Sequence, residues 1–380
     1  MPQLNHKREL LAGARRVVVK VGSAVLSDQD GLRADAIAGL AAQIEQSMRA
    51  GLEIVLVTSG AIAAGRARLR GRAVTIAERQ AAAAAGQIEL MRQWAKAFDE
   101  HRRTVAQLLL THQDVAERQR RLNATRTIAA LLDAGAIPIV NENDTVAVEE
   151  IRMGDNDVLS ALVAEMAGAQ ALIILSDVRG LYTGDPRKRA DARLIPLIAD
   201  AEAGMRGFAA ERAGPLGSGG MATKVKAARQ AARAGIGVII APGREPEALL
   251  AALDPEREIG TLIVPARRRM RGRKHWIAFA LKPAGALAVD RGAAEALRNR
   301  GRSLLPSGIR DVRGEFTSGD CVSLLDHEGV EFGRGLVNYP AADVARLKGT
   351  RSHEIARILG YKIADEIIHR DNFVLIEDLG

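Results

Sequence analysis

Ala136-Ile137-Pro138-Ile139-Val140 is an apolar run that stops abruptly in a polar cluster, Asn141-Glu142-Asn143-Asp144. Further on, Asp155-Asn156-Asp157 stands at the mouth of an Ala/Leu-rich segment that begins Val158-Leu159-Ser160-Ala161-Leu162. A buried strand, a loop and a helix account for this order. In open α/β sheets the ends of strands and the starts of helices are where ligands sit. Asp and Asn also serve turns and helix N-caps, so one cluster alone decides nothing. Two clusters in one strand-loop-helix unit point to a site for a small polar substrate or a metal ion.

Working outward from this unit, strand and helix patterns alternate. Val17-Val18-Val19-Lys20-Val21 reads as a β-branched strand of a buried parallel sheet, ended by Gly22-Ser23. Lys20 is out of place there, because a buried ammonium is costly unless it meets an anion. A phosphate is one such anion; snorkelling from the strand end is the other reading. A helix over 34–50 stops at Gly51, and Glu53 to Val57 forms the next strand. That strand runs into Thr58-Ser59-Gly60-Ala61-Ile62-Ala63-Ala64-Gly65, small residues that let backbone approach a ligand. Ser59 reads as a hydrogen-bond donor or N-cap rather than a nucleophile, since Val57 stands where a nucleophile elbow has glycine. Helices over 75–99, 119–133 and 157–168 alternate with strands over 105–110, 136–140 and 172–175. The alanine run Ala81 to Ala85 is a tightly packed helix, not a low-complexity segment.

Ser176-Asp177 opens a loop rich in turn formers. Gly214-Pro215-Leu216-Gly217-Ser218-Gly219-Gly220 then enters a helix carrying Met221, Ala222, Thr223 and Lys224. Such a loop offers free N–H groups and a helix N-terminus to an anion. It matches neither the Walker A nor the dinucleotide-binding spacing. A strand over 236–240 and a helix over 245–253 complete a mainly parallel sheet covered on both faces, a three-layer αβα sandwich.

The 380 residues suggest more than one domain. A 47% apolar content marks a globular chain, and only 3% aromatics leaves the core to aliphatic side chains. Lys+Arg exceed Asp+Glu by 54 to 46, partly through a cluster from Arg267 to Lys274 that suits anionic small molecules, RNA or a solvated linker. Cys321 is the only cysteine, so no intrachain disulfide forms. A polar N-terminus and no segment of membrane-spanning length give the expectation of a cytoplasmic protein. We place an α/β domain at 1–265, a basic linker at 266–275 and a small β-rich domain at 276–380. In the last, strand-like pieces including Trp276 to Leu281 and Cys321 to Leu325 alternate with turn formers.

Taken together the motifs resemble the amino acid kinase family, in the branch that phosphorylates free glutamate and carries a C-terminal PUA domain. The match lies in Val18-Val19-Lys20-Val21-Gly22-Ser23, Val57 to Gly65, Asn141 to Asp144, Gly154 to Asp157, Gly180-Leu181-Tyr182-Thr183 with Asp185-Pro186, and Gly219 to Lys224. Ser303-Leu304-Leu305-Pro306-Ser307-Gly308-Ile309 is similar to the PUA segment. Ser23 replaces the threonine common after the first strand and retains its hydroxyl.

The resemblance implies transfer of the ATP γ-phosphoryl group to the γ-carboxylate of L-glutamate, the first step toward proline, with proline as feedback inhibitor. It assigns Lys20 and Lys224 to the transferring group and Asp157 to holding both lysines. Ser59, Asp144 and Asn156 are assigned to glutamate, with Asp144 facing its α-ammonium. ATP is assigned to Lys20, Ser176, Asp177, Ser218, Gly219, Gly220, Met221, Ala222, Thr223 and Lys224. Mg²⁺ would arrive with ATP, with no dedicated metal ligands. A homo-oligomer, tetramer or dimer, is implied. A kinase of N-acetylglutamate or aspartate is the alternative enzyme. An RNA-binding PUA protein is the alternative of another class, and no aromatic stacking platform supports it.

Overall fold

The computed structural model describes residues 2–69, 74–146, 155–186, 188–189, 191–205, 220–266 and 272–376. The chain divides into two compact units, Met1–Arg269 and Met270–Gly380.

In the first unit, strands β1 (Arg16–Val21), β2 (Glu53–Thr58), β3 (Val105–Leu110), β4 (Ile137–Glu142), β5 (Ala171–Ser176), β6 (Leu197–Ile198), β7 (Gly237–Pro242) and β8 (Thr261–Ile263) form one sheet. Its order is β3-β4-β2-β1-β5-β7-β8-β6. Pairing is parallel from β3 to β7, and β8 runs antiparallel to β7. The chain winds outward from β1 through β2, then returns to lay β5 on the other side of β1. The strand order therefore reverses at β1/β5, where open α/β sheets bind ligands.

Strand periodicity decides which residues reach the site. Val17, Val19 and Val21 join a core with the helices Ala34–Arg49, Ile76–Asp99 and Ala248–Leu253. Val18 and Lys20 point to the opposite face, since side chains alternate along a strand. The helices Asp155–Ala167 and Gly220–Arg233 start beside that face, with Asp157 in the first turn of one and Lys224 at the start of the second turn of the other. Lys20 in the apolar run is thus explained by what lies opposite it.

Helix Ile76–Asp99 begins with a capping box: Glu78 N–H donates to Thr75 Oγ1 at 3.2 Å, and Thr75 N–H donates to Glu78 Oε2 at 2.8 Å. It packs on the helix Ala61–Leu69 with no side chain between the backbones. A Cβ on Gly65 would stand 1.7 Å from the Ala82 carbonyl oxygen, and one on Gly86 would stand 1.8 Å from that of Ala61. The alanine run is a packing surface, as its composition suggests. Gly65 serves this packing, although its sequence context suggested approach to a ligand.

A helix at Pro2–Ala12 was not legible in the polar N-terminal sequence. It is held by side chains reaching backbone carbonyls. Lys7 Nζ donates to Ala251 O and Arg257 O, both at 2.6 Å, and Gln3 Nε2 donates to Pro196 O at 2.8 Å.

The second unit pairs β9 (Gly285–Val289), β10 (Ile309–Gly314), β11 (Cys321–Leu325), β12 (Glu331–Leu336) and β13 (Phe373–Leu375) in the order β10-β9-β11-β12-β13. Tyr339 is fully buried, and its hydroxyl accepts from the N–H groups of Ile363 and Ala364 at 2.9 and 2.8 Å. The expected strand at 276–281 is instead part of a helix, Gly272–Phe279. Its short apolar run, Trp276-Ile277-Ala278, fits either element, and periodicity alone does not separate them. That helix takes in the end of the expected linker, whose residues 267–271 lie outside the described residues.

Candidate active site

Three charged side chains meet at the carboxyl end of β1, all of them buried. Lys20 is 5% exposed, Asp157 1% and Lys224 8%. Lys20 Nζ stands 2.5 Å from Asp157 Oδ1, and Lys224 Nζ stands 3.1 Å from Asp157 Oδ2. Thr223 Oγ1 donates to the same Oδ2 at 3.0 Å, and Ser160 Oγ donates to the Asp157 carbonyl at 2.5 Å. Burial disfavours charge on the Asp157 carboxylate, but the two ammonium groups outweigh it and hold its pKa below the usual range. Burial lowers the pKa of Lys20, and the neighbouring Asp157 carboxylate opposes that shift. Two ammonium groups and one carboxylate leave a net positive charge, which suits a polyanion.

Backbone borders this point at Gly22. A Cβ at Gly22 would lie 3.6 Å from Lys20 Nζ and 3.4 Å from Leu175 O. Ser176 is buried at the end of β5, and its Oγ donates to Asp177 Oδ1 at 3.0 Å. Met221 and Thr223 are half-buried and Ala222 exposed in the first turn of Gly220–Arg233. Ser218 and Gly219 lie outside the described residues.

A second cluster occupies the ends of β2 and β4. Asn156 Nδ2 donates to Ser59 Oγ and to Asn141 Oδ1, each at 3.0 Å. The Glu142 N–H donates to Asn141 Oδ1 at 2.9 Å and to Asn156 Oδ1 at 3.2 Å. Asp144 is half-buried in the turn that follows β4. Asn156 and Asp157 are adjacent at the start of one helix, so the two clusters share a wall.

Sequence reasoning assigned no role to Asn141, which is 1% exposed and ties Asn156 to the sheet. It also missed Gln87, whose Oε1 accepts from Asn141 Nδ2 at 2.8 Å, and Trp94, whose indole N–H donates to Thr58 Oγ1 at 3.1 Å. A signal existed: Gln87, Leu90 and Trp94 recur at helical spacing on one face of Ile76–Asp99. A polar residue inside such a stripe needs a partner.

Among the described residues, no three His, Cys, Asp or Glu side chains gather as a metal site. No described helix is long and apolar enough to cross a membrane.

The family model for the amino acid kinase family matches residues 15–242, and the PUA domain model matches residues 285–359. The chain is 48% identical over 373 residues to a glutamate 5-kinase of Trichlorobacter lovleyi, covering 97% of this chain and 99% of that one. It is 50% identical over 367 residues to a glutamate 5-kinase of Thermus thermophilus, covering 96% and 98%.

Proposed function

The chain belongs to the amino acid kinase family and acts as a glutamate 5-kinase, and we propose that Lys20, Asp157 and Lys224 carry its phosphoryl transfer. The observation behind this assignment is the single buried carboxylate shared by two buried ammonium groups at the sheet's switch point.

The chemistry needs little more than position and charge. The γ-carboxylate of glutamate is ionised near neutral pH, so no general base is required. One of its oxygens bonds to the γ-phosphorus while the bond from that phosphorus to the β,γ-bridging oxygen breaks. The products are L-glutamyl 5-phosphate and ADP. Charge on the transferring group's oxygens is met by Lys20 and Lys224, fixed beforehand by Asp157 so that no reorganisation accompanies the step. Ser176, Asp177 and the segment Ser218 to Lys224 take ATP. Ser59, Asp144 and Asn156 take glutamate, with Asp144 facing the α-ammonium. Mg²⁺ would neutralise phosphate charge. Such an ion is held largely by phosphate oxygens and water.

The product is the activated acid from which proline is made, in a cytoplasmic setting. Proline shares the α-carboxylate and α-nitrogen of glutamate, which supports its action as an inhibitor competing at the glutamate subsite.

Trapping the acyl phosphate with hydroxylamine, in the presence of ATP and Mg²⁺, tests the reading. Glutamate, N-acetylglutamate and aspartate are offered in parallel, and hydroxamate is expected from glutamate alone. Product from N-acetylglutamate instead would overturn the role of Asp144.

A further inference from the structure

The amino-acid subsite contains a hydrogen-bond relay whose direction is fixed by one backbone group. Glu142 N–H can only donate, and it donates to both Asn141 Oδ1 and Asn156 Oδ1. Both amide orientations follow. The Nδ2 of Asn156 must then face Ser59 and Asn141, and the Nδ2 of Asn141 must face Gln87. Gln87 is thereby required to present its oxygen, the acceptor at one end of the relay. At the other end Ser59 Oγ accepts from Asn156, which leaves the hydroxyl hydrogen of Ser59 to donate elsewhere.

We infer that Gln87 is a positioning residue for the amino-acid substrate: by accepting from Asn141 it locks the relay that makes Ser59 a donor toward a substrate carboxylate. This rests on the reading of Ser59 and Asn156 as glutamate residues. Two further observations support it. Gln87 is placed by a close approach of backbones, since it directly follows Gly86, whose Cβ position would stand 1.8 Å from the Ala61 carbonyl oxygen. Among the described residues, its own buried Nε2 has no hydrogen-bond partner. A buried donor left unpaired is unfavourable, so the amide is oriented for the acceptor at Oε1 rather than for its own satisfaction. Were Gln87 replaced by an apolar residue, Asn141 Nδ2 would lose its acceptor. Rotating Asn141 to relieve that unpaired donor would break its Oδ1 contacts with the Glu142 N–H and Asn156 Nδ2, and so release the amide that faces Ser59.

The experiment is a double-mutant cycle on the hydroxamate assay, using Gln87→Met and Ser59→Ala singly and together. Gln87→Met should raise the KM for glutamate by about tenfold, the scale of one lost buried hydrogen bond, with the KM for ATP held within about twofold. In the Ser59→Ala background the same change should add less than about twofold, because there is no hydroxyl left to orient. Gln87→Glu keeps an acceptor oxygen for Asn141 and should impair glutamate binding less than Gln87→Met, which keeps the test decisive should the methionine variant misfold. Effects that multiply independently, or equal shifts in the KM of both substrates, would overturn the inference while leaving the enzyme's assignment intact. No hydroxamate from the unaltered protein would overturn the functional reading and this inference with it.

Discussion

Lys20 Nζ and Asp157 Oδ1 are 2.5 Å apart, with both side chains buried. Breaking a buried pair from one side strands the other charge, at about 3–5 kcal/mol. Asp157→Asn leaves Lys20 and Lys224 facing each other without an anion. It should lower unfolding free energy on that scale and cut hydroxamate formation by about a hundredfold or more, since both lysines lose their anchor. Denaturant titration and steady-state rates check the two effects separately.

The same carboxylate sets an acid limb. Its pKa is depressed in the folded chain, so its contribution is complete above the unfolded value, about 4, and is lost as pH falls through the depressed one. The difference in unfolding free energy between the unaltered protein and Asp157→Asn should therefore narrow as pH falls below about 4. A difference that stayed constant to low pH would contradict the ion pair.

Lys7 predicts a slope of the same sign in alkali. Burial lowers its pKa to about 8, with Asp254 opposing and Arg257 assisting. Between that value and the ordinary lysine value of 10.5, the unfolded chain keeps a proton that the folded chain has released. Stability from this residue consequently rises with pH across the window. Relative to Lys7→Met, the unaltered protein should gain stability from pH 8 upward, as read by urea unfolding at several pH values.

Two glycine substitutions should act in opposite directions. Gly65→Ala drives a methyl group into the Ala82 carbonyl, a backbone atom that cannot swing aside, and should cost about 1–3 kcal/mol. Gly39 is exposed in the helix Ala34–Arg49 with nothing within 4 Å of its Cβ position. Gly39→Ala should stabilise by about 1 kcal/mol. Thermal unfolding of the pair gives the comparison.

Cys321 reports on the second unit alone. Burial in β11 pushes its thiol up to about 12, which leaves almost no thiolate near neutral pH. A thiol reagent should label the native protein only through opening of that unit. Labelling that kept pace with an exposed cysteine would disprove the burial.

How much of this was legible beforehand depended on the range of the interaction. The first unit's strands and helices follow from local periodicity, and Lys20 announced itself because a charge interrupts β-branched residues. Asp157 and Lys224 were placed by motif resemblance, whereas their meeting depends on a parallel pairing that no local pattern encodes. Gln87 was hidden because its partner, Asn141, stands 54 residues away. The helix Gly272–Phe279 was misread since Trp276-Ile277-Ala278 suits strand or helix alike, and tertiary packing chose.

The anchoring of Pro2–Ala12 also bears on how the chain is made. The acceptor for Lys7 at Arg257 is 250 residues downstream. At about 5–20 residues per second, a ribosome needs roughly 12–50 s to deliver it. The Gln3 acceptor at Pro196 emerges earlier, but the helix gains its full set of anchors only after nearly all of the α/β unit has been made. The order of synthesis and the order of completion are thus reversed for this element.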